Sequence, residues 1–125
     1  MTSAGEGVYL DSSGLVKLVL EEAESAALRR YLFPRPRQFS CVLAQVEVVR
    51  AARRSGAVAI AQAPLVLEQL SLIPIDESLL FDAARLGPPT LRTLDAIHLA
   101  AALTLGMGML RLVTYDARMI QAAQD

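Results

Sequence analysis

Apolar residues fall along the chain in short blocks separated by polar or turn-forming residues. Val8-Tyr9-Leu10 runs into Asp11-Ser12-Ser13-Gly14, the pattern of a buried strand turning into a capped helix, which Leu15, Leu18 and Val19 continue at helical spacing. Glu21 to Leu32 predicts a second helix. Phe33-Pro34-Arg35-Pro36-Arg37 predicts a loop, because each proline drives the residue before it out of helical geometry. Phe39-Ser40-Cys41 reads as a short strand, and Val42, Val46 and Val49 as the stripe of a helix ending near Gly56. A helix over Ala57–Leu70 is kinked or broken at Pro64, and Leu72-Ile73-Pro74-Ile75 is a strand whose proline puts it at a sheet edge or strand end. Asp76–Leu86 is a helix with Asp76 near its cap, and Gly87-Pro88-Pro89 a loop. Leu94–Leu105 is a strongly apolar helix, Leu110–Thr114 a strand and Asp116–Gln124 a final helix. Met107 and Met109, flanking Gly108, read as packing between loop and strand. Strands separated by helices imply an α/β fold with a parallel sheet and helices on both faces.

Composition narrows the class. The 125 residues fit one domain, 1–125, with a single core. Counting Gly and leaving out Tyr, about 57% of the chain is apolar, against roughly 45–50% in a typical soluble domain. That excludes disorder and leaves either a very full core or a surface that expects a partner. The longest uncharged run near the C-terminus, Ala96–Leu110, is too short and too polar for a membrane span, and no signal-peptide pattern precedes Tyr9. One cysteine, Cys41, excludes an internal disulfide and a multi-cysteine zinc site. These features describe a soluble, reduced, cytoplasmic domain with no membrane partner.

The net charge of −1 hides an asymmetry: Arg29 to Arg54 holds seven arginines and one acid, a surplus of six positive charges, so the rest of the chain carries seven negative. Such a window offers a face for a polyanion, with Arg50, Arg53 and Arg54 as candidate RNA contacts; the plainer alternative is a solvated helix face.

Of thirteen acids, nine have ordinary settings: Glu6, Glu21, Glu22, Glu24, Glu68, Glu77, Asp82 and Asp125 on polar faces or near chain ends, and Asp76 at a cap. Four stand in apolar company. Asp11 and Asp116 follow the first and last strands, at the carboxyl edge where open α/β sheets bind ligands. Asp95 opens an otherwise apolar helix, and Glu47 interrupts Val46-Glu47-Val48-Val49. Singly each has a structural explanation: helix caps for Asp11 and Asp116, the helix dipole for Asp95, an i,i+3 pair with Arg50 for Glu47. Together they describe a carboxylate cluster that a fold tolerates best with a divalent cation, and all-oxygen donors point to Mg²⁺ or Mn²⁺. His98, three residues after Asp95, reads as a packing or hydrogen-bonding residue, since metal-activated water needs no histidine base. Cys41 reads as a buried thiol.

In order and spacing, Val8-Tyr9-Leu10-Asp11-Ser12-Ser13, the helix bearing Glu47, Arg92-Thr93-Leu94-Asp95-Ala96-Ile97-His98-Leu99-Ala100 and Thr114-Tyr115-Asp116 resemble the PIN-domain ribonucleases, most of all the VapC-type toxins. The resemblance runs from Val8 to about Ala123. It implies a three-layer α/β/α domain with a central parallel sheet of about four strands, the chain stopping at Asp125 where many relatives add an edge strand. It also implies a Mg²⁺-dependent endoribonuclease in which Asp11, Glu47, Asp95 and Asp116 are the catalytic and metal-holding acids. Thr114 and Ser13 (or Ser12) would be the hydroxyls that aim them. The implied partners are RNA, a cognate antitoxin and a second copy in a homodimer. Two other readings compete. One is a signalling receiver with Asp76 as phosphoacceptor, though Asp11 stands alone and Lys17 is the only lysine. The other is a catalytically silent PIN-like RNA-binding module.

Overall fold

The computed structural model describes residues 7–106 and 110–124, with the side chain of Leu110 left aside. Glu6, Asp125 and the Met107-Gly108-Met109 packing expectation lie outside the described residues. In chain order the elements are β1 (Gly7–Leu10), α1 (Ser12–Val19), α2 (Ser25–Leu32), β2 (Gln38–Cys41), α3 (Leu43–Arg53), α4 (Ala57–Glu68), β3 (Ser71–Ile73), α5 (Glu77–Arg85), α6 (Thr93–Leu103), β4 (Leu110–Val113) and α7 (Ala117–Gln124). The strands form one parallel sheet in the order β3-β2-β1-β4. The chain leaves β1 toward β2 and β3 on one side and returns to β4 on the other. The order therefore reverses between β1 and β4, the switch point at which crossovers diverge and a crevice opens at the strand ends.

Side chains alternate across a strand, and β1 is buried on both faces, so it feeds two cores. Val8 and Leu10 pack with Leu15 and Val19 of α1, Leu28 and Leu32 of α2, Ala44, Val48 and Ala52 of α3, and Ala59 and Ala63 of α4. Tyr9, with Cys41, faces the other way onto Leu79 and Ala83 of α5 and Ala96, Ala100, Ala101 and Ala102 of α6. Leu99 of α6 meets Met119 and Ala122 of α7 in a smaller cluster. The result is the expected three-layer α/β/α arrangement. Among the described residues no helix is long and apolar enough to cross a membrane.

Several boundaries depart from the sequence pattern for identifiable reasons. The helix expected from Glu21 begins at Ser25, whose Oγ takes the Glu22 N–H at 2.9 Å and donates to the Leu20 carbonyl at 2.9 Å, locking a turn ahead of α2. The Val42/Val46/Val49 stripe is not the buried face of α3. That face is Ala44, Val48 and Ala52, while Val46 is 58% exposed. Because α3 is apolar on several sides, periodicity alone does not select a face; the small alanines permit close packing against α1 and α4. Pro64 lies inside α4, which continues to Glu68. β3 is the edge strand and ends just before Pro74, where the missing N–H costs no ladder bond.

Candidate active site

Asp11 stands at the end of β1 on the switch point and is 2% exposed. A carboxylate so buried needs its oxygens satisfied, and this one is. Oδ1 accepts from the Gly14 N–H at 3.0 Å and the Ser13 hydroxyl at 2.6 Å; Oδ2 accepts from the Thr114 hydroxyl at 2.5 Å. Asp11 is thus the N-cap of α1 and also part of a charge-assisted network that ties β1 to the end of β4. Ser13, not Ser12, supplies the aiming hydroxyl: its Oγ also accepts from the Tyr115 N–H at 2.8 Å and lies 3.3 Å from Thr114 Oγ1. Thr114 Oγ1 accepts in turn from the Asp116 N–H at 3.1 Å.

Gly14 makes this proximity possible. A Cβ there would sit 3.3 Å from both the Val113 carbonyl oxygen and Val113 Cγ1, so α1 begins in direct contact with β4. Asp116 caps α7, its Oδ1 accepting from Arg118 N–H at 2.8 Å and Met119 N–H at 3.3 Å. Its other oxygen, Oδ2, lies 3.8 Å from an Arg92 guanidinium nitrogen, and Asp95 Oδ2 lies 4.0 Å from Arg92 Nε.

Asp95 occupies the first turn of α6. Its carboxyl is held above the usual range by burial first, then by the negative charge of Asp116, with Asp11 adding to it and Arg92 and His98 opposing. The charges of Asp116 and Asp11 thus both reach Asp95. Glu47 has another partner. Its Oε1 lies 2.7 Å from His98 Nε2, and His98 is 1% exposed, so the expected pair with Arg50 gives way to a histidine from the opposite layer. His98 Nδ1 lies 2.7 Å from the Tyr9 hydroxyl and 3.7 Å from Cys41 Sγ. Burial by itself would lower the His98 pKa; the hydrogen bonds with Cys41 and Glu47 outweigh it and push it up to about 10. Cys41 is buried, as expected of a free thiol that packs as a small hydrophobe.

Among the described residues no group of three or more histidine, cysteine, aspartate or glutamate side chains is gathered closely enough to enclose a metal ion. The donors nonetheless suit a hard divalent cation in kind. They are carboxylates braced by hydroxyls and an amide, mutually repelling, with a guanidinium already drawn toward two of them. Beside them opens a cleft of about 640 Å³ lined by Ser12, Ser13, Lys17, Glu47, Arg50, Arg54, Leu94 and Tyr115, among others. Arg50 and Arg54 form its basic wall; Arg53 is exposed but outside it. Lys17 is held by Glu22 at 3.0 Å and Glu24 at 2.7 Å, which compensates its charge. Sequence reasoning missed Gly14 and Arg92; for Arg92 the i,i+3 spacing to Asp95 was the available signal.

The PIN-domain family profile matches residues 8–125, from within β1 through Asp116 and beyond. The chain belongs to the PIN-domain family. This PIN domain is similar to three ribonucleases of Mycobacterium tuberculosis. It is 49% identical over 117 residues to ribonuclease VapC46, 41% over 121 residues to ribonuclease VapC35 and 35% over 123 residues to ribonuclease VapC47. Each match spans 94% of this PIN domain and 90% of the relative. No solved structure gives a significant match to it.

Proposed function

We propose that this PIN domain is a divalent-metal-dependent endoribonuclease acting as the toxin of a toxin–antitoxin pair. The observation that carries the reading is the Asp11 carboxylate, buried at the switch point and braced by Ser13, Thr114 and Gly14, with its charge and that of Asp116 both reaching Asp95. Helix capping accounts for Asp11 and Asp116 singly but not for Asp95 being set against the charges of both; a cation-binding role accounts for the three together. The naming of its relatives as ribonucleases supports the same reading.

Asp11, Asp95 and Asp116 would hold Mg²⁺ or Mn²⁺, with Glu47 contributing from the α3 side. Bound there, a divalent cation would supply an acidified water and a positive charge to offset the leaving oxygen of a phosphodiester. The chain's own work is positional. Ser13 and Thr114 each donate to one oxygen of Asp11 and hold its carboxylate in a defined orientation. Arg50 and Arg54 would track the RNA backbone along the cleft, with Arg53 at its margin. His98 holds Glu47 and is not required as a base. Exposed apolar side chains such as Phe33, at 90%, and Val58, at 77%, suit a covering antitoxin and a second copy of the chain. The receiver reading finds no support: Asp76 follows the edge strand and caps α5, accepting from Leu79 N–H at 2.9 Å, and Lys17 is engaged by Glu22 and Glu24.

The test is RNA cleavage by the purified chain in Mg²⁺, with and without EDTA, beside Asp95→Asn. Cleavage abolished by both changes is expected. Equal cleavage by wild type and variant would indicate a contaminant and overturn the reading; RNA binding with no turnover would leave the silent module in its place.

A further inference from the structure

Among the described residues, Arg92 is the one cation whose head group approaches two of the candidate acids, and neither side of that contact is tight. Its guanidinium lies 4.0 Å from Asp95 and 3.8 Å from Asp116, and its side chain is 63% exposed. It sits at the N-cap of α6 and makes no cap hydrogen bond there. Ion pairs this long and this exposed are weak and readily exchanged. Asp95 has reason to hold a cation: burial and the charges of Asp116 and Asp11 push its carboxyl up, and Arg92, with His98, opposes that.

We propose that Arg92 is a further substrate-binding residue, held between Asp95 and Asp116 until a divalent cation neutralises them and then released to the RNA phosphodiester. The inference rests on the metal-dependent reading above and adds an exchange of partners to it. Two carboxylates attract a doubly charged ion more strongly than a singly charged guanidinium, so a bound divalent cation would displace Arg92 from them. A guanidinium freed three residues from Asp95 keeps its planar donor fork, the geometry that phosphate oxygens accept in pairs. Arg92 would then oppose metal binding in the free protein and favour RNA binding in the metal-loaded one, two effects of opposite sign from one side chain.

The experiment measures both. Mn²⁺ affinity is read by electron paramagnetic resonance on wild type, Arg92→Gln and Arg92→Lys. Affinity for an RNA oligonucleotide whose leaving ester oxygens are replaced by methylene groups, which keeps the phosphate charge but cannot be hydrolysed, is read across a salt series, with and without Mg²⁺. Arg92→Gln is expected to bind Mn²⁺ about two- to five-fold more tightly, the scale of an exposed charge pair. In Mg²⁺ it should bind the oligonucleotide more weakly with a salt slope shallower by about one phosphate contact, and without Mg²⁺ it should match wild type. Arg92→Lys, which keeps the charge, should restore the wild-type Mn²⁺ affinity but not the full RNA affinity. Unchanged Mn²⁺ affinity in Arg92→Gln, or an unchanged salt slope in Mg²⁺, would overturn the exchange while leaving the nuclease reading standing. A wild-type protein that binds no Mn²⁺ would overturn both.

Discussion

His98 Nε2 and Glu47 Oε1 lie 2.7 Å apart, joining α6 to α3 across the end of the sheet. The helix that carries Asp95 therefore also sets the direction of Glu47, and the Tyr9 hydroxyl at 2.7 Å from Nδ1 sets the direction of the imidazole. His98→Leu should lower stability by about 1–3 kcal/mol, because it leaves buried polar partners unpaired. The pH dependence has a definite sign. A histidine whose folded pKa is raised to about 10 contributes stability that is full below the unfolded value near 6.5 and is lost as pH rises through about 10. Denaturation of wild type and His98→Leu from pH 6 to 10 should show a stability gap that narrows toward the alkaline end; a gap that widens would contradict the pairing.

Asp95 carries the opposite linkage. Its raised folded pKa means that the ionised form opposes folding, and this cost appears as pH rises from its unfolded value through the folded one. Asp95→Asn should leave metal-free stability at neutral pH unchanged or higher, while cleavage falls at least about 100-fold, or ~2.7 kcal/mol of barrier. Thermal melting in EDTA paired with a cleavage assay reads both.

Thr114→Val keeps the shape and removes the hydroxyl that donates to Asp11 Oδ2 and accepts from Asp116 N–H. A buried carboxylate oxygen loses its donor, at a cost of about 1–3 kcal/mol. Melting temperature and cleavage should fall together, and Thr114→Ser should recover both.

Gly14→Ala sets two effects against each other. Ala is the better helix former by about 1 kcal/mol, whereas its Cβ would press on Val113 at 3.3 Å. Stability should change little, but α1 must shift relative to β4, and Asp11 with it. Loss of activity at nearly constant melting temperature is the expected signature.

Arg50 and Arg54 line the cleft and Arg53 does not. Replacing the first two with Ala should flatten the salt dependence of RNA binding by about one and a half to two units of slope, with Arg53→Ala giving a smaller change. Equal effects from all three would mean that the basic surface acts as an undirected field.

Element order and type were largely legible from the sequence because the strands contain short apolar runs and most turns carry proline, glycine or a capping acid. Asp11 and Asp116 were legible for the same reason: their position after strands places them at the carboxyl edge of any parallel sheet. Facing was less so. The valines of α3 share a helical spacing with the residues that are buried, and the choice of Ala44, Val48 and Ala52 came from how closely α1 and α4 approach.

The sequence by itself determined the α/β alternation, the two strand-end acids and the acid-bearing helix motif around Asp95, all local consequences of side-chain period and turn chemistry. The tertiary structure decided which partner each acid takes. It gave Asp11 to Ser13 and Thr114, Glu47 to His98, and Arg92 to Asp95 and Asp116. Most of those partners lie far apart in the chain, Thr114 being 103 residues from Asp11, and only the strand order that sets β4 beside β1 brings that pair into hydrogen-bonding reach. A hydrogen bond depends on distance in space, and strand order is a property of the whole fold that no local pattern encodes.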